Sequence, residues 1–411
     1  MSKDNWQVLL NNMYRTLLKN GRTYAAFNKN DIIPIINDLN KKGIKEIFDP
    51  MSGYGASVQW CEGKGISTYN IELNTPAYFW QILNNPKYKN LFIKAIENIN
   101  STISDLISAN IRSEASDNWF TERGKEIVLN LYNFNKKNFD KITDTDSVEL
   151  LSLALLLPFV SRLSCSTNGD VAHIKKGGLC VYLDYIEHYK LFLNELVRNR
   201  INKINNGKKN LTSHEVILGD CAQISMHGKK FNCMLTSPPY PNSRDYAKMF
   251  NPENYILDWL YENSIIKFKS PDSITIGSNV VSGRITGQVT SSIAKDFLDK
   301  IQSYKGTKKA MSDNRSYYYP YFKNYFSDIE KAYSNVSLLL DDKFEGYIVV
   351  TNNTARNFVI PVAESIIDIW RRLGFQAEIY KNIEKSHMGA KNPDAKGFKA
   401  KHMEYIIKVH R

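Results

Sequence analysis

Residues 44–56, IKEIFDPMSGYGA, run from an apolar stretch through an acid and a proline into a glycine-rich turn. The run 44–49 reads as a buried strand, stopped by Pro50. In Asp49-Pro50-Met51-Ser52-Gly53-Tyr54-Gly55-Ala56 the two glycines let the backbone turn tightly and come close to a ligand, where a Cβ would intrude. From Ser57 the chain reads as the start of a helix, whose amino end favours negative charge. A second strand-like run, 66–72 (ISTYNIE), ends in Glu72, twenty-three residues after Asp49. An acid at that place accepts hydrogen bonds from both ribose hydroxyls of a nucleoside-containing cofactor. A nicotinamide site is disfavoured, because Val58 stands where the third glycine of GxGxxG would fall.

Outward from this turn, further short apolar runs recur at 215–220 (EVILGD), 231–236 (FNCMLT) and 346–351 (GYIVVT). Residues 375–383 and 403–409 read as a closing antiparallel pair. Short apolar strands alternating with helices predict an α/β fold, a doubly wound sheet of seven strands covered on both faces. Its domain would be assembled from 1–74, 214–240 and 319–411. The 75–213 span is helical in pattern and is expected to be a packed helical insertion, since a compact domain does not hold so long a structureless loop. Within it a helix is predicted from Ser147, as N-cap, to Leu157, with Pro158 ending or kinking it. The 241–318 span, rich in Tyr, Lys, Asn and Gly, reads as a second, loop-rich insertion beside the carboxyl ends of the strands, where open α/β sheets place ligands.

The chain has 411 residues, 43% hydrophobic and 23% charged, which supports a full core and argues against disorder. Lys+Arg 54 against Asp+Glu 42 gives a net charge of +12, pointing to a polyanionic partner. A membrane partner is disfavoured: the most apolar stretch, 150–160, is well short of the ~20 residues of a spanning helix. The N-terminus MSKDNWQVLL lacks an apolar signal core, so a cytoplasmic protein is expected. Five cysteines without a CxxC pair fit a reducing compartment, and Cys165, His173 and Cys180 match no four-ligand zinc spacing, so no metal is expected.

The most specific feature is Thr236-Ser237-Pro238-Pro239-Tyr240, directly after an apolar strand. Two prolines fix φ and contribute no N–H, so the Ser237 and Pro238 carbonyls are held in a rigid extended turn next to an aromatic ring. Such a turn offers acceptors to an exocyclic amine and a face to its ring. The tetrapeptide resembles the (Asp/Asn/Ser)-Pro-Pro-(Tyr/Phe/Trp) motif of S-adenosyl-L-methionine-dependent DNA amino-methyltransferases, whose serine form is most typical of cytosine-N4 enzymes. The glycine turn is similar to the same family's Asp-Pro-Phe-x-Gly-x-Gly-Thr, departing from it at Met51 and Ala56. Tyr24 and Phe27, before a helix expected over 31–39, look like the motif that closes over the methionine part of the cofactor.

The resemblance implies a Rossmann-like methyltransferase fold, with Tyr24, Phe27, Asp49, Pro50, Met51, Gly53, Gly55, Glu72 and Asp220 at the cofactor and Ser237, Pro238, Pro239 and Tyr240 at the reacting amine. Ser237 and the Pro238 carbonyl would bind the amine, Tyr240 would stack on a base flipped from double-stranded DNA, and Asp220 would meet the adenine amino group of the cofactor. A cognate restriction endonuclease or defence-system proteins are the partners this family implies. Arg162, Lys175, Lys176, Arg244, Lys308, Lys309 and Arg315 are the candidate DNA contacts, in either insertion. Adenine N6, an RNA amine and a non-catalytic DNA-binding role stay open as alternatives.

Overall fold

A computed structural model describes residues 29–106, 110–111, 120, 122–163, 183–198, 212–242, 250–262, 268, 275–278, 281, 287–305, 312–355, 358–384 and 403–411. Helix α1 (Lys29–Lys41) opens the described chain and leads into β1 (Glu46–Asp49). Then follow α2 (Ala56–Cys61), β2 (Ser67–Glu72), α3 (Thr75–Leu83), α4 (Lys89–Thr102), α5 (Glu122–Phe139), α6 (Thr145–Leu163) and α7 (Tyr185–Leu196). The sheet resumes with β3 (His214–Leu218) and β4 (Phe231–Thr236). Helices α8 (Asn251–Glu262), α9 (Ser292–Gln302) and α10 (Tyr319–Ser337) precede β5 (Leu340–Asn352), α11 (Val362–Arg372), β6 (Gln376–Glu384) and β7 (Met403–His410).

The protein is α/β, with a seven-stranded sheet in the order β6-β7-β5-β4-β1-β2-β3. Neighbours from β3 to β5 pair in parallel, whereas β7 runs antiparallel to both β5 and β6. Burial follows the period-two alternation of a sheet covered on both faces. Phe48, Met234, Ile348, Val350 and Ile407 pack beneath α9, α10 and α11, while Ile47, Cys233, Leu235, Val349 and Ile406 face α1 and α2. The strand order reverses between β1 and β4, and at such a switch point the carboxyl ends of the strands leave a crevice.

Strands β1, β2, β4, β6 and β7 fall within a residue or two of their predicted limits, and β3 within two. Strand β5 begins at Leu340, earlier than its apolar run, because the exposed Asp341, Asp342 and Lys343 carry no alternating signal. Helix α6 corrects the reading of 147–158. Its amino end is capped by Asp144, whose Oδ1 accepts the Ser147 N–H at 3.0 Å, and it continues through Pro158 to Leu163. The proline removes one intrahelical hydrogen bond. Apolar burial on all sides from Leu151 to Leu157 holds the helix regardless.

Helices α3 to α8 share one apolar core. The 241–318 span divides its helices: α8 joins that helical lobe, and α9 packs on the sheet. His214 ties the lobe to β3. Its ring nitrogens lie 2.9 Å from Thr68 Oγ1 and 3.1 Å from Thr212 Oγ1, and the Asn85 amide donates to its carbonyl at 2.7 Å. Burial lowers the His214 pKa to about 4, so the ring stays neutral. No helix among the described residues is long and apolar enough to cross a membrane. Truncating the fully buried Leu155→Ala in α6 is expected to cost about 2–5 kcal/mol, from lost transfer energy plus a residual cavity, measured as a lowered urea midpoint.

Candidate active site

The glycine turn is built by hydrogen bonds that leave one side of the backbone open. Ser52 N–H and Oγ–H both donate to the Ile71 carbonyl, at 3.1 and 2.9 Å, which pins the turn to the end of β2. Gln81 of α3 donates to Ser52 Oγ at 2.8 Å and to the Gly53 carbonyl at 2.6 Å. Gly55 has φ +75, and a Cβ there would stand 3.0 Å from the Gln81 side chain. Gly53 has φ +53 with nothing within 4 Å of the corresponding position, so its backbone faces open space. Pro50 is buried and Met51 half-buried along the same turn. A small cleft between the turn and the helical lobe is lined by Tyr54, Pro76, Trp80, Leu157, Pro158, Phe250 and Glu253.

Three acids stand at the ends of three adjacent strands. Glu72, at the end of β2, is 8% exposed, and its Oε1 accepts the Asn74 N–H at 2.7 Å. Burial raises its pKa to about 8 against the lowering effect of the Asn74, Gly53 and Leu73 amides. The Gly219 N–H donates to the Glu72 carbonyl at 2.9 Å and brings the next residue, Asp220, alongside. Asp220 is half-buried and accepts from the Ala222 N–H and the Gln223 amide, both at 2.9 Å.

Asp49, 2% exposed, connects the two motifs. Its Oδ2 accepts from Ser57 Oγ in the first turn of α2, and its Oδ1 from Thr236 Oγ1 at the end of β4, each at 2.8 Å. The Met51 N–H approaches Oδ1 at 3.3 Å. Burial raises the Asp49 pKa to about 6, and these three donors hold it from rising further.

Thr236 hands the chain directly to the SPPY turn. Ser237 is half-buried and Pro238 buried. Ser237 Oγ lies 2.7 Å from Tyr240 Oη, which also donates to the Val349 carbonyl at 3.3 Å. Tyr240 is 7% exposed, so little of the ring expected to meet a base is open.

The residues that close this turn carried no motif in the sequence. Asn242 adopts φ 53, its N–H donates to Tyr321 Oη at 2.8 Å, and its amide donates to the Thr354 carbonyl at 2.6 Å. Asn353 donates to the Pro241 carbonyl at 2.9 Å, and Tyr321 Oη to the Gly277 carbonyl at 3.4 Å. A Pro-Asn step after an aromatic, at a position needing left-handed backbone, is the one local signal available.

Arg315 is exposed on a π-helical turn, 314–318, whose Tyr317 stacks on Tyr321 at 5.7 Å and thereby reaches the Asn242 end of the site. Arg162 lies on α6, with its side chain outside the description. Tyr24, Phe27, Lys175, Lys176, Arg244, Lys308 and Lys309, like Cys165, His173 and Cys180, lie outside the described residues. Among the described residues no three His, Cys, Asp or Glu side chains gather as metal ligands.

The raised carboxylate pKa values make stability depend on pH. A carboxyl with a folded pKa above its unfolded value favours the native state at low pH, and that contribution is lost as pH rises through the folded pKa. His214, shifted down, acts oppositely below about pH 6.5. Glu72 therefore dominates from about pH 6.5 to 8, where the urea midpoint is expected to fall with rising pH and Glu72→Gln to flatten the fall. Gly55→Ala is expected to destabilise by at least about 1–2 kcal/mol through its left-handed backbone, with a further loss as Gln81 is displaced. Equilibrium unfolding of both variants checks this. Compared with family models, with curated proteins and with solved structures, the chain matches none.

Proposed function

We propose that this chain is an S-adenosyl-L-methionine-dependent DNA methyltransferase with the doubly wound seven-stranded methyltransferase fold, modifying the exocyclic N4 amine of cytosine in a specific double-stranded site. One juxtaposition carries the reading. Asp220, Glu72, the glycine turn and the SPPY turn end four neighbouring strands, and Asp49 bonds the glycine turn to the residue before Ser237.

The residues present suit the cofactor. Glu72 is a carboxylate at the end of β2 whose pKa burial raises, and two ribose hydroxyls would add donors that oppose that desolvation. The open space at Gly53 accommodates close approach, and Asp220 keeps acceptor capacity for an amino group. Asp49 already accepts three protein donors, so its part is to hold the turn. Bound here, the cofactor supplies an electrophilic methyl on a sulfonium centre.

The protein's own work falls on the amine. Ser237 Oγ and the Pro238 carbonyl accept its two N–H groups, draw the nitrogen from planarity and direct its lone pair. The nitrogen needs no strong base beforehand, because its proton leaves easily after transfer. Catalysis is therefore mostly positioning and electrostatics. Stacking a flipped base on Tyr240 requires what covers the ring to move aside, with the ring itself staying in place. The net charge of +12 and the Arg315 turn suit phosphate contact, with Arg162, Lys175, Lys176, Arg244, Lys308 and Lys309 as the further candidates. A cytoplasmic setting and a cognate nuclease or defence-system partner belong to the same proposal.

Methyl transfer from labelled cofactor to mixed-sequence duplex DNA, followed by nucleoside mass spectrometry, is expected to yield N4-methylcytosine. N6-methyladenine would keep the chemistry and change the base. Transfer to RNA alone, or cofactor binding without any transfer, would overturn the DNA-modifying reading. Cofactor binding at pH 7 is also expected to release protons, as ribose donors lower the Glu72 pKa; titration calorimetry in buffers of differing ionisation enthalpy measures this, and Glu72→Gln should abolish it.

A further inference from the structure

A serine hydroxyl is ambivalent, since it presents lone pairs and one rotatable proton. If that proton points at the target amine, Ser237 competes with the amine's own N–H groups. For Ser237 to accept, its proton has to be sent elsewhere. The geometry supplies a destination. Ser237 Oγ is 2.7 Å from Tyr240 Oη, and Tyr240 Oη in turn donates to the main-chain carbonyl of Val349 at 3.3 Å.

That carbonyl has a reason to claim the phenol proton. The β4–β5 register ends at Thr236 opposite Ile348, so Val349 is the first position on β5 beyond it. The chain that leaves β4 there continues as Pro238-Pro239, which brings no amide proton. Val349 is 1% exposed, and buried carbonyls are seldom left without a donor. A phenol has one proton. With it on Val349, the 2.7 Å contact runs from Ser237 O–H to Tyr240 Oη, and the Ser237 lone pairs are turned outward.

We propose that the Val349 carbonyl and the Tyr240 hydroxyl form a proton-directing relay that fixes Ser237 as a hydrogen-bond acceptor. This rests on the reading of Ser237 as the partner of an exocyclic amine, and deepens it. It gives the Tyr240 hydroxyl a positioning role separable from that of the ring, because Tyr240→Phe keeps the ring and removes only the relay.

The experiment is a double-mutant cycle on the full chain with Ser237→Ala, Tyr240→Phe and the double variant, measuring kcat, KM for duplex DNA and cofactor affinity. Tyr240→Phe is expected to lower kcat about 10-fold or more with cofactor affinity near wild type, and to lower the unfolding midpoint modestly because the Val349 carbonyl loses its donor. Because the hydroxyl acts through Ser237, adding Tyr240→Phe to Ser237→Ala is expected to cost less than about 2-fold. Multiplying effects would show independent roles and overturn the relay. An unchanged kcat in Tyr240→Phe would overturn it too, as would loss of cofactor binding, which would make the hydroxyl a fold contact. Absence of methyl transfer by the wild type on any nucleic acid would instead sink the functional reading, and the relay with it.

Discussion

The bond from Thr236 to Asp49 is the constraint on which the rest of the site depends. Two turns separated by nearly two hundred residues of chain have to meet within a few ångströms at the carboxyl ends of β1 and β4. Parallel pairing brings the strands together, with Phe48 opposite Met234, but leaves the turns beyond them undetermined. Asp49 removes that freedom, one oxygen holding the end of β4 and the other the start of α2. Burying a carboxylate at 2% exposure opposes its charge, as its raised pKa records. Its hydroxyl donors are what keep the arrangement tolerable.

The same trade recurs at Glu72, where stability is given up for a carboxylate at a defined place. Asp49 and Glu72 both sit in low-dielectric surroundings at strand ends, but their hydrogen bonding differs. Asp49 has donors from two side chains and a backbone amide, and Glu72 has backbone amides only. That asymmetry distinguishes an acid that ties side chains of separate elements together from one held by the main chain alone.

Much of this was legible in the sequence, for identifiable reasons. Strand β4 was readable to the residue because a charged pair precedes it and a proline pair follows it soon after. The glycine turn and the acid that ends β2 were placed at strand ends because residue type and spacing there are local signals. What escaped was set by distant parts of the chain. Pro158 reads as a stop, but the surrounding lobe keeps the helix going. Strand β5 begins ahead of its apolar run because backbone pairing continues there, with Glu345 opposite His410 on β7 and Leu340 opposite Phe231 on β4. Tyr321, Asn353 and Gly277 join the site across long separations and carry no motif. The covered ring of Tyr240 follows from packing that periodicity does not express.

The helical lobe leaves the sheet after Glu72 and returns at His214, and β2 and β3 are immediate neighbours with Thr68 opposite His214. In topological terms the lobe is an overgrown crossover, standing where a parallel sheet needs one helix to carry the chain from the top of one strand to the foot of the next. A crossover contributes nothing to strand register, so its size can change without disturbing the carboxyl end of the sheet. Both of its ends are nevertheless anchored to adjacent strands, and a cleft between Tyr54 of the glycine turn and Pro76, Trp80 and Leu157 marks where the lobe meets that end of the sheet. Whatever enters between lobe and sheet therefore meets one surface that strand pairing fixes and another that it leaves free to vary.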